Sequence, residues 1–390
     1  MSHRTLIAGG GIGGLAAALA CSRSGCPVSL YERAPEFGEL GAGLQLGPNA
    51  VRVLNDWGLA QALLEVASFP ERLQVRSAES GQVLAALRLG AQALQRYGAA
   101  YATLHRADLH QLLLSAVKRQ AEVQLHLNEA VERFTQTADS VHLWTSQGQA
   151  VAGDVLIGAD GLWGGVREQL LDDGAPRVTG HLAFRALLDQ SRLPAQLRSQ
   201  QVSVWLGPKL HVVQYPVRRG ECLNLVAIVQ GNAPDDLHNW DHSSNGADLH
   251  AALSGSCSAL QALMEAVPEW RLWVLCDRPP MRSPQEQAQG RVALLGDAAH
   301  PMRPYLAQGA GMAIEDAACL GELLAPATGD VPAVLQRYAA LRWQRNARVQ
   351  KRSIRNGRVF HADGMLRWGR DLSLRLLGER LLDQPWLYGS

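Results

Sequence analysis

The sequence predicts an α/β protein in which a Rossmann-like domain is interrupted by a β-rich lobe and followed by C-terminal helices. Three observations predict it. Between Thr5 and Tyr31 a short apolar strand, a glycine-rich turn, a helix and a second strand follow one another. From about Gly180 to Asp277 the pattern turns to β-rich segments with aromatics: Val202–Leu206, His211–Val217 and Leu223–Gln230. At Val292–Leu295 an apolar strand returns, and a helix of small residues begins near Gly309.

Length and composition set the frame. A chain of 390 residues can hold two cores, or one core with an inserted lobe. Its 47% hydrophobic and 19% charged residues are those of an ordinary globular enzyme. A formal net charge of +1, with no long basic run, argues against a nucleic-acid partner. The six cysteines (Cys21, Cys26, Cys222, Cys257, Cys276 and Cys319) are scattered without a CxxC pair. That spacing speaks against zinc, a redox dithiol or a disulfide framework, and fits a reducing, cytoplasmic setting. The apolar stretch Leu6–Ala20 after Arg4 has the look of a signal peptide, but its glycines have a better explanation below. No run reaches the roughly 18 apolar residues of a membrane span.

In chain order, strand Thr5–Ala8 leads to a helix ending near Ser24 and a strand Val28–Tyr31. A Gly-rich loop is expected over Phe37–Gly47, then helices over Asn49–Val66, a strand at Arg72–Ser77 and a helix over Arg106–Arg119. Two hairpin strands precede the apolar strand Asp154–Ile157. The tail from Val331 to about His361 is Arg-rich and helical in pattern. The expected divisions are residues 1–178 (first part of the nucleotide-binding domain), 179–280 (β-rich substrate lobe), 281–330 (return to the first domain) and 331–390 (C-terminal helices).

Gly9-Gly10-Gly11-Ile12-Gly13-Gly14 satisfies GxGxxG at Gly9, Gly11 and Gly14. The glycines allow a tight turn, close approach of backbone to a pyrophosphate, and close packing of helix on strand. The helix start beneath offers N–H groups and a positive dipole to phosphate. The motif follows a strand, opens a helix, and is answered at the end of the next strand by Glu32, beside Arg33. A carboxylate there accepts ribose hydroxyls, which suits FAD and NAD alike.

Two acidic turns follow apolar strands: Gly158-Ala159-Asp160-Gly161 and Gly296-Asp297-Ala298-Ala299-His300-Pro301. Taken singly, each could be a helix N-cap. In an open α/β sheet, ligands bind outside the carboxyl ends of the strands, so both turns can serve one cofactor.

These motifs in this order resemble those of the single-component flavoprotein aromatic hydroxylases of the para-hydroxybenzoate hydroxylase type. The likeness covers nearly the whole chain. It implies that the Asp160 turn serves FAD and NAD(P)H, and that Asp297 binds the flavin ribityl chain. His105-Arg106-Ala107-Asp108-Leu109 resembles the family's HRxDL segment, so Arg106 is expected at FAD. Gly309-Ala310-Gly311-Met312 resembles the helix start beside the flavin pyrimidine, where N–H groups stabilise negative charge. The cofactor residues expected on this basis are Gly9, Gly11, Ile12, Gly13, Gly14, Glu32, Arg33, Gln45, Arg106, Asp160, Asp297, Gly309, Ala310 and Gly311. One departure is Gly164, where the family usually has Ser. There is no second strand–GxGxxG–helix, which resembles enzymes that bind NAD(P)H transiently and differs from the two-nucleotide disulfide reductases.

In the lobe, His211-Val212-Val213-Gln214-Tyr215-Pro216-Val217 reads as a strand. Period 2 puts His211, Val213 and Tyr215 on one face and Gln214 on the other. A His and a Tyr so placed can bind a phenol and move its proton, or can be a hydrogen-bonded core His and a packing Tyr. Related hydroxylases place a His and a Tyr at the matching positions, and the resemblance assigns His211, Tyr215 and Pro301 to catalysis. Arg185 and Arg303 can each pair with a substrate carboxylate or form a salt bridge. Gln45 belongs to both the substrate and the cofactor sets. Trp205 and Tyr101 read as packing residues, and the arginines from Arg342 to Arg358 as a solvated helix face or an oligomer contact.

The segments Gly41–Asn49, Pro176–His181 and Leu206-Gly207-Pro208 resemble 3-hydroxybenzoate 6-hydroxylases, with salicylate 1-hydroxylases and 6-hydroxynicotinate 3-hydroxylases as neighbours. Pro304 stands where some 3-hydroxybenzoate enzymes have Gln, and Gln45 where 6-hydroxynicotinate enzymes have a functional His. The resemblance implies reduction of FAD by NAD(P)H, capture of O₂ as a flavin C4a-hydroperoxide, and transfer of one oxygen to an aromatic acid. It also implies a homodimer. Two other classes remain open: another flavin oxidoreductase on this fold, such as an O₂-independent reductase, and a flavin-binding sensor without turnover. Trp270-Arg271-Leu272-Trp273 does not match the WxWxIP segment of flavin-dependent halogenases.

Overall fold

The strands predicted at the N-terminus lie at the centre of a six-stranded sheet. In the computed structural model, which describes residues 3–38, 41–233, 237, 242–244, 247–325 and 330–389, the chain forms two compact units. One comprises Met1–Leu40, Ala107–Arg177 and Asp277–Ser353; the other comprises Gly41–Arg106, Val178–Cys276 and Ile354–Ser390.

In the first unit the strand order is Ala288–Gln289, Val292–Leu294, Val155–Gly158, Thr5–Ala8, Val28–Tyr31, Val123–His126. All neighbours are parallel except the first pair. The central strands are buried on both faces, with Leu6, Ile7, Leu30, Leu156 and Ile157 inaccessible to solvent, so they read as unbroken apolar runs rather than alternating ones. Each such side chain contributes roughly 1.5–3 kcal/mol through burial. Helix Ile12–Arg23 packs along helix Gly309–Leu324, and both are rich in Ala and Gly, which lets their backbones approach. The antiparallel strands Val131–Gln136, Val141–Thr145 and Ala150–Gly153 form a separate small sheet.

The second unit is built on an eight-stranded sheet ordered His242–Ser244, Trp270–Asp277, Arg177–Asp189, Cys222–Gln230, Leu210–Val217, Val202–Gly207, Arg72–Ser77, Val83–Arg88. Alternation gives it one apolar face. Leu182, Phe184, Leu188, Leu223, Leu225, Ala227 and Val212 pack there against Leu260, Leu263 and Met264 of helix Ser258–Glu265.

The units cut the chain differently from the sequence-based divisions. Residues 41–106, expected within the first domain, belong to the β-rich unit, because Arg72–Ser77 pairs in parallel with Val202–Gly207 (Val75 opposite Val204). The expected loop over Phe37–Gly47 contains a strand, Gly43–Leu46, paired with Ala102–His105. Its glycines hide the alternation. Helix Val331–Phe360 runs from the first unit into the second, and three further helices follow: Gly364–Leu377, Glu379–Leu382 and Pro385–Tyr388. Leu374 of the first of these joins the core of Val75, Val204 and Leu206.

Candidate active site

The glycine-rich turn has the geometry that a pyrophosphate requires. Gly9 has φ +101°, and a Cβ on Gly14 would lie 1.9 Å from the Gly9 carbonyl oxygen, so helix Ile12–Arg23 starts flush against the preceding strand. Its N-cap is Gly11, with no side chain capping the first turn, which leaves N–H groups and the positive helix end for an anion. The Glu32 carboxylate accepts from the Gly10 N–H (2.6 Å) and the Ala34 N–H (2.8 Å), fixing it at the carboxyl edge of the sheet beside the turn. Arg33 is exposed next to it. His110 Nε2 lies 2.8 Å from the Gly10 carbonyl oxygen and braces the turn from helix Arg106–Val117. Sequence reasoning missed this residue, because a His inside an apolar helix face carries no motif.

Both acidic turns end strands of the same sheet. Asp160 Oδ2 accepts from the Val166 N–H at 3.0 Å, while Oδ1 is buried without a hydrogen-bond partner. Burial pushes this carboxyl up to about 6, against the opposing pull of the Val166 N–H and of Arg33. The carboxylate occupies the space beside Gly164: a Cβ there would come within 2.1 Å of Asp160 Cγ. The Gly164 departure from the family is therefore what lets Asp160 turn inward.

Asp297 is exposed on the second turn, and a Cβ at Gly309 would sit 3.9 Å from its Oδ1. Helix Gly309–Leu324 also starts without a side-chain cap, so the N–H groups of Gly309, Ala310 and Gly311 form a second positive end. Behind this turn His300 Nε2 meets Asp316 Oδ2 at 2.5 Å, and Asp316 Oδ1 accepts from Arg342 Nε at 2.7 Å; all three residues are buried. Arg342 thus corrects the expectation of a solvated arginine face: it and Arg345 pair with Glu315 and Asp316. Arg348, Arg355 and Arg358 remain exposed. Pro301 is buried, its carbonyl accepting from Gln350 Nε2 at 3.3 Å.

The polar candidates of the second unit share the sheet face opposite its apolar core. Register pairs His211 with Ile228, Val213 with Val226, and Tyr215 with Asn224; across the next strand Ile228 meets Ala183, Val226 meets Arg185 and Asn224 meets Leu187. Directly paired residues point to the same side, so His211, Tyr215, Asn224 and Arg185 lie on one face. Gln214 points the other way, accepting from Trp205 Nε1 at 3.1 Å inside the apolar core. Trp205 is the packing residue the sequence suggested. Along the strand His211 and Tyr215 are about 13 Å apart at Cα, and Arg185 is two strands from Val213, roughly 10 Å away.

Tyr215 is buried, which holds its hydroxyl well above the ordinary range, with Arg185 and a Gln45 hydrogen bond opposing the rise. Gln45 Oε1 accepts from the Tyr101 hydroxyl at 2.7 Å. Asn224, another residue that sequence reasoning missed, holds the Gly43 N–H at 2.6 Å through Oδ1 and leaves Nδ2 buried without an acceptor. Its signal was a single amide in an apolar run.

Arg185 lies over the Trp273 ring, its guanidinium carbon 3.5 Å from the centroid. Among the described residues it makes no ion pair, and its buried Nε has no acceptor. Desolvation pushes it down to about 9. Arg303, the other candidate for a carboxylate, is instead paired to Asp277 at 2.7 Å. His211 is buried and held well below its ordinary value, first by desolvation and then by His361 and His181. It is a neutral imidazole at pH 7. Arg106 donates its backbone N–H to the Ala42 carbonyl (3.1 Å).

Comparison with known proteins agrees with this chemistry. Residues 2–353 match the model of the FAD binding domain family. A 3-hydroxybenzoate 6-hydroxylase of Polaromonas naphthalenivorans is 39% identical over 98% of this chain and 95% of its own length. A 3-amino-4-hydroxybenzoate 2-monooxygenase of Streptomyces platensis is 38% identical over 100% of this chain and 96% of its own. A solved salicylate hydroxylase substrate complex superposes with a TM-score of 0.85 at 28% identity, covering 100% of this chain and 96% of that one. The two uncapped helix starts, Glu32 and the acidic turns fit FAD, with NAD(P)H as the reductant typical of these hydroxylases. The chain belongs to this family and is an FAD-dependent aromatic hydroxylase.

Proposed function

We propose that the chain hydroxylates a 3-hydroxybenzoate-type acid, with Arg185 taking the carboxylate and His211 and Tyr215 handling the phenol. The observation that carries this reading is Arg185, a desolvated guanidinium that has no carboxylate partner among the described residues and lies on the same sheet face as His211 and Tyr215. A guanidinium taken out of water is a strong demand for an anion, and a bidentate carboxylate meets it. The relative of Polaromonas naphthalenivorans, at 39% identity over nearly full length, supports the choice of acid.

FAD, when bound, supplies the activated oxygen; the chain's residues bind, orient and deprotonate. Glu32 and the N–H groups of the Gly9–Gly14 turn hold the adenosine and pyrophosphate end. Arg33, Arg106 and Gln45 remain cofactor contacts in this proposal, and Asp160, Asp297 and Gly309–Gly311 serve the rest of FAD and its reductant. Neutral His211 takes the phenol proton, Tyr215 donates to the resulting phenolate oxygen, and Pro301 flanks the reacting face. O₂ as co-substrate, a homodimer and a cytoplasmic setting belong to the same proposal. The apolar side chains of Met365, Leu366, Trp368 and Leu376, exposed on helix Gly364–Leu377, support self-association.

The test is NAD(P)H oxidation by the FAD-loaded protein across 3-hydroxybenzoate, salicylate and 3-amino-4-hydroxybenzoate, with product identification. The expected outcome is stimulation by 3-hydroxybenzoate with 2,5-dihydroxybenzoate as product. Stimulation by salicylate alone, with release of CO₂, moves the assignment to salicylate hydroxylation. Turnover that persists without O₂ replaces it with a flavin reductase.

A further inference from the structure

We infer that Asn224 is the positioning residue of Tyr215: its Oδ1 takes the Gly43 N–H and so seats strand Gly43–Leu46, with Gln45, against the Tyr215 ring. This deepens the proposed function and rests on Tyr215 contacting the phenol. All of these residues belong to the second unit.

The sense of the bond is set by chemistry. The Arg106 N–H donates to the Ala42 carbonyl at 3.1 Å, which makes those two a hydrogen-bonded pair at the end of the antiparallel ladder between Gly43–Leu46 and Ala102–His105. Bonded and unbonded pairs alternate, so at the next pair, Gly43 and His105, the Gly43 N–H points away from its partner strand. This sheet is two-stranded, and that N–H needs an acceptor from elsewhere. Asn224 Oδ1 provides it at 2.6 Å. A backbone N–H only donates, so the amide oxygen of Asn224 faces Gly43 and its nitrogen faces away.

The steric fit points the same way. Tyr215 and Asn224 are directly paired on neighbouring strands. A Cβ on Gly43 would lie 2.7 Å from Tyr215 Cε2 and 2.9 Å from Asn224 Cγ, so the bare Cα of Gly43 rests on both. Period 2 sends the Gln45 side chain to the same side of its strand. There Gln45 hydrogen-bonds Tyr215 and accepts from Tyr101 at 2.7 Å. One amide thus fixes the strand that holds Tyr215 by contact at Gly43 and by hydrogen bond at Gln45.

Asn224 is fully buried in the apolar strand Cys222–Gln230, and its Nδ2 has no acceptor among the described residues. A stranded N–H₂ group detracts from stability. Core packing therefore does not account for an amide here, whereas the seat it gives Gly43 does.

Steady-state turnover of the FAD-loaded protein with 3-hydroxybenzoate tests the role. Asn224→Leu, close in volume but without an acceptor, should lower kcat about 10- to 100-fold with KM within about 3-fold, the scale of a small misplacement at a reacting centre. Asn224→Asp keeps an acceptor for Gly43 and should stay within about 5-fold of wild type. In a Tyr215→Phe background, Asn224→Leu should cost no more than about 2-fold further, because residues that act through one group are not additive. Hydrogen exchange read by mass spectrometry should quicken over residues 41–47 in Asn224→Leu.

An undiminished loss in the Tyr215→Phe background would mark a purely structural amide and sink the inference. Wild-type turnover in Asn224→Leu, or unchanged exchange over residues 41–47, does the same. An Asn224→Asp protein that folds and is as impaired as Asn224→Leu removes the clamp on Gly43. Failure of the underlying reading looks different: Tyr215→Phe alone then matches wild type in kcat and coupling, and the role of Asn224 falls with it.

Discussion

Arg185 stacks on Trp273 at 3.5 Å and has no carboxylate partner among the described residues. A cation held on a ring face in a desolvated site is ready for an anion from outside the chain. Replacing Arg185 with Met should raise KM for 3-hydroxybenzoate about 10- to 100-fold, the worth of one charged hydrogen bond or a bidentate pair. The thermal midpoint should not fall, because no ion pair is lost. 3-Hydroxybenzyl alcohol, which lacks the carboxylate, should bind Arg185→Met as it binds wild type; an equal loss on both ligands would refute the contact.

Asp160 links pH to stability. Its folded-state carboxyl titrates at about 6, above the unfolded value of about 3.9, because burial favours the neutral acid. The sign follows directly: this group's contribution is fully present below pH 4 and is lost as pH rises through 6. Asp160→Asn keeps an acceptor for the Val166 N–H but cannot ionise. Its midpoint relative to wild type should therefore rise between pH 4 and pH 7, as measured by thermal melts in matched buffers. A flat difference across that window would place the carboxyl in solvent.

Gly164 and Asp160 compete for one space. Gly164→Ser puts a Cβ within 2.1 Å of Asp160 Cγ, so the carboxylate must swing out and release the Val166 N–H. The expected cost is about 1 kcal/mol of stability. The change should also shift KM for NAD(P)H, the ligand this turn serves in the proposal. A crystal structure of Gly164→Ser with Asp160 unmoved would contradict the steric argument.

Asp316 is the keystone of the buried network behind Pro301. Burial alone would raise its carboxyl, but His300 and Arg342 outweigh that and hold it at about 2. Its contribution is present above pH 4 and disappears as pH falls toward 2. Asp316→Asn should cost about 1–3 kcal/mol at neutral pH, since it removes the charge that His300 and Arg342 share while Glu315 still pairs with Arg342. It should also flatten the acid limb of the stability curve. Chemical denaturation at pH 7 and pH 3 checks both statements, and the gap between the two proteins should narrow at the lower pH.

The nucleotide-binding half was legible in the sequence because its chemistry is local. Gly9 to Gly14, Glu32, Asp160 and Asp297 each sit at the end of an apolar strand, and parallel strands buried on both faces announce themselves as unbroken apolar runs. Period-2 alternation likewise separated His211 and Tyr215 from Gln214 before any pairing was known. What pairs with what is not local. Only tertiary structure brings Arg72–Ser77 beside Val202–Gly207, places residues 41–106 in the β-rich unit, and sets His361 against His211 across 150 residues. It also decided between equals. Arg185 and Arg303 read alike in sequence, yet Asp277 neutralises one and nothing in the described chain neutralises the other. Alternation and turn chemistry are carried by neighbours a few residues apart, whereas the charge state and partner of a buried side chain depend on strand register, which the chain settles only on folding.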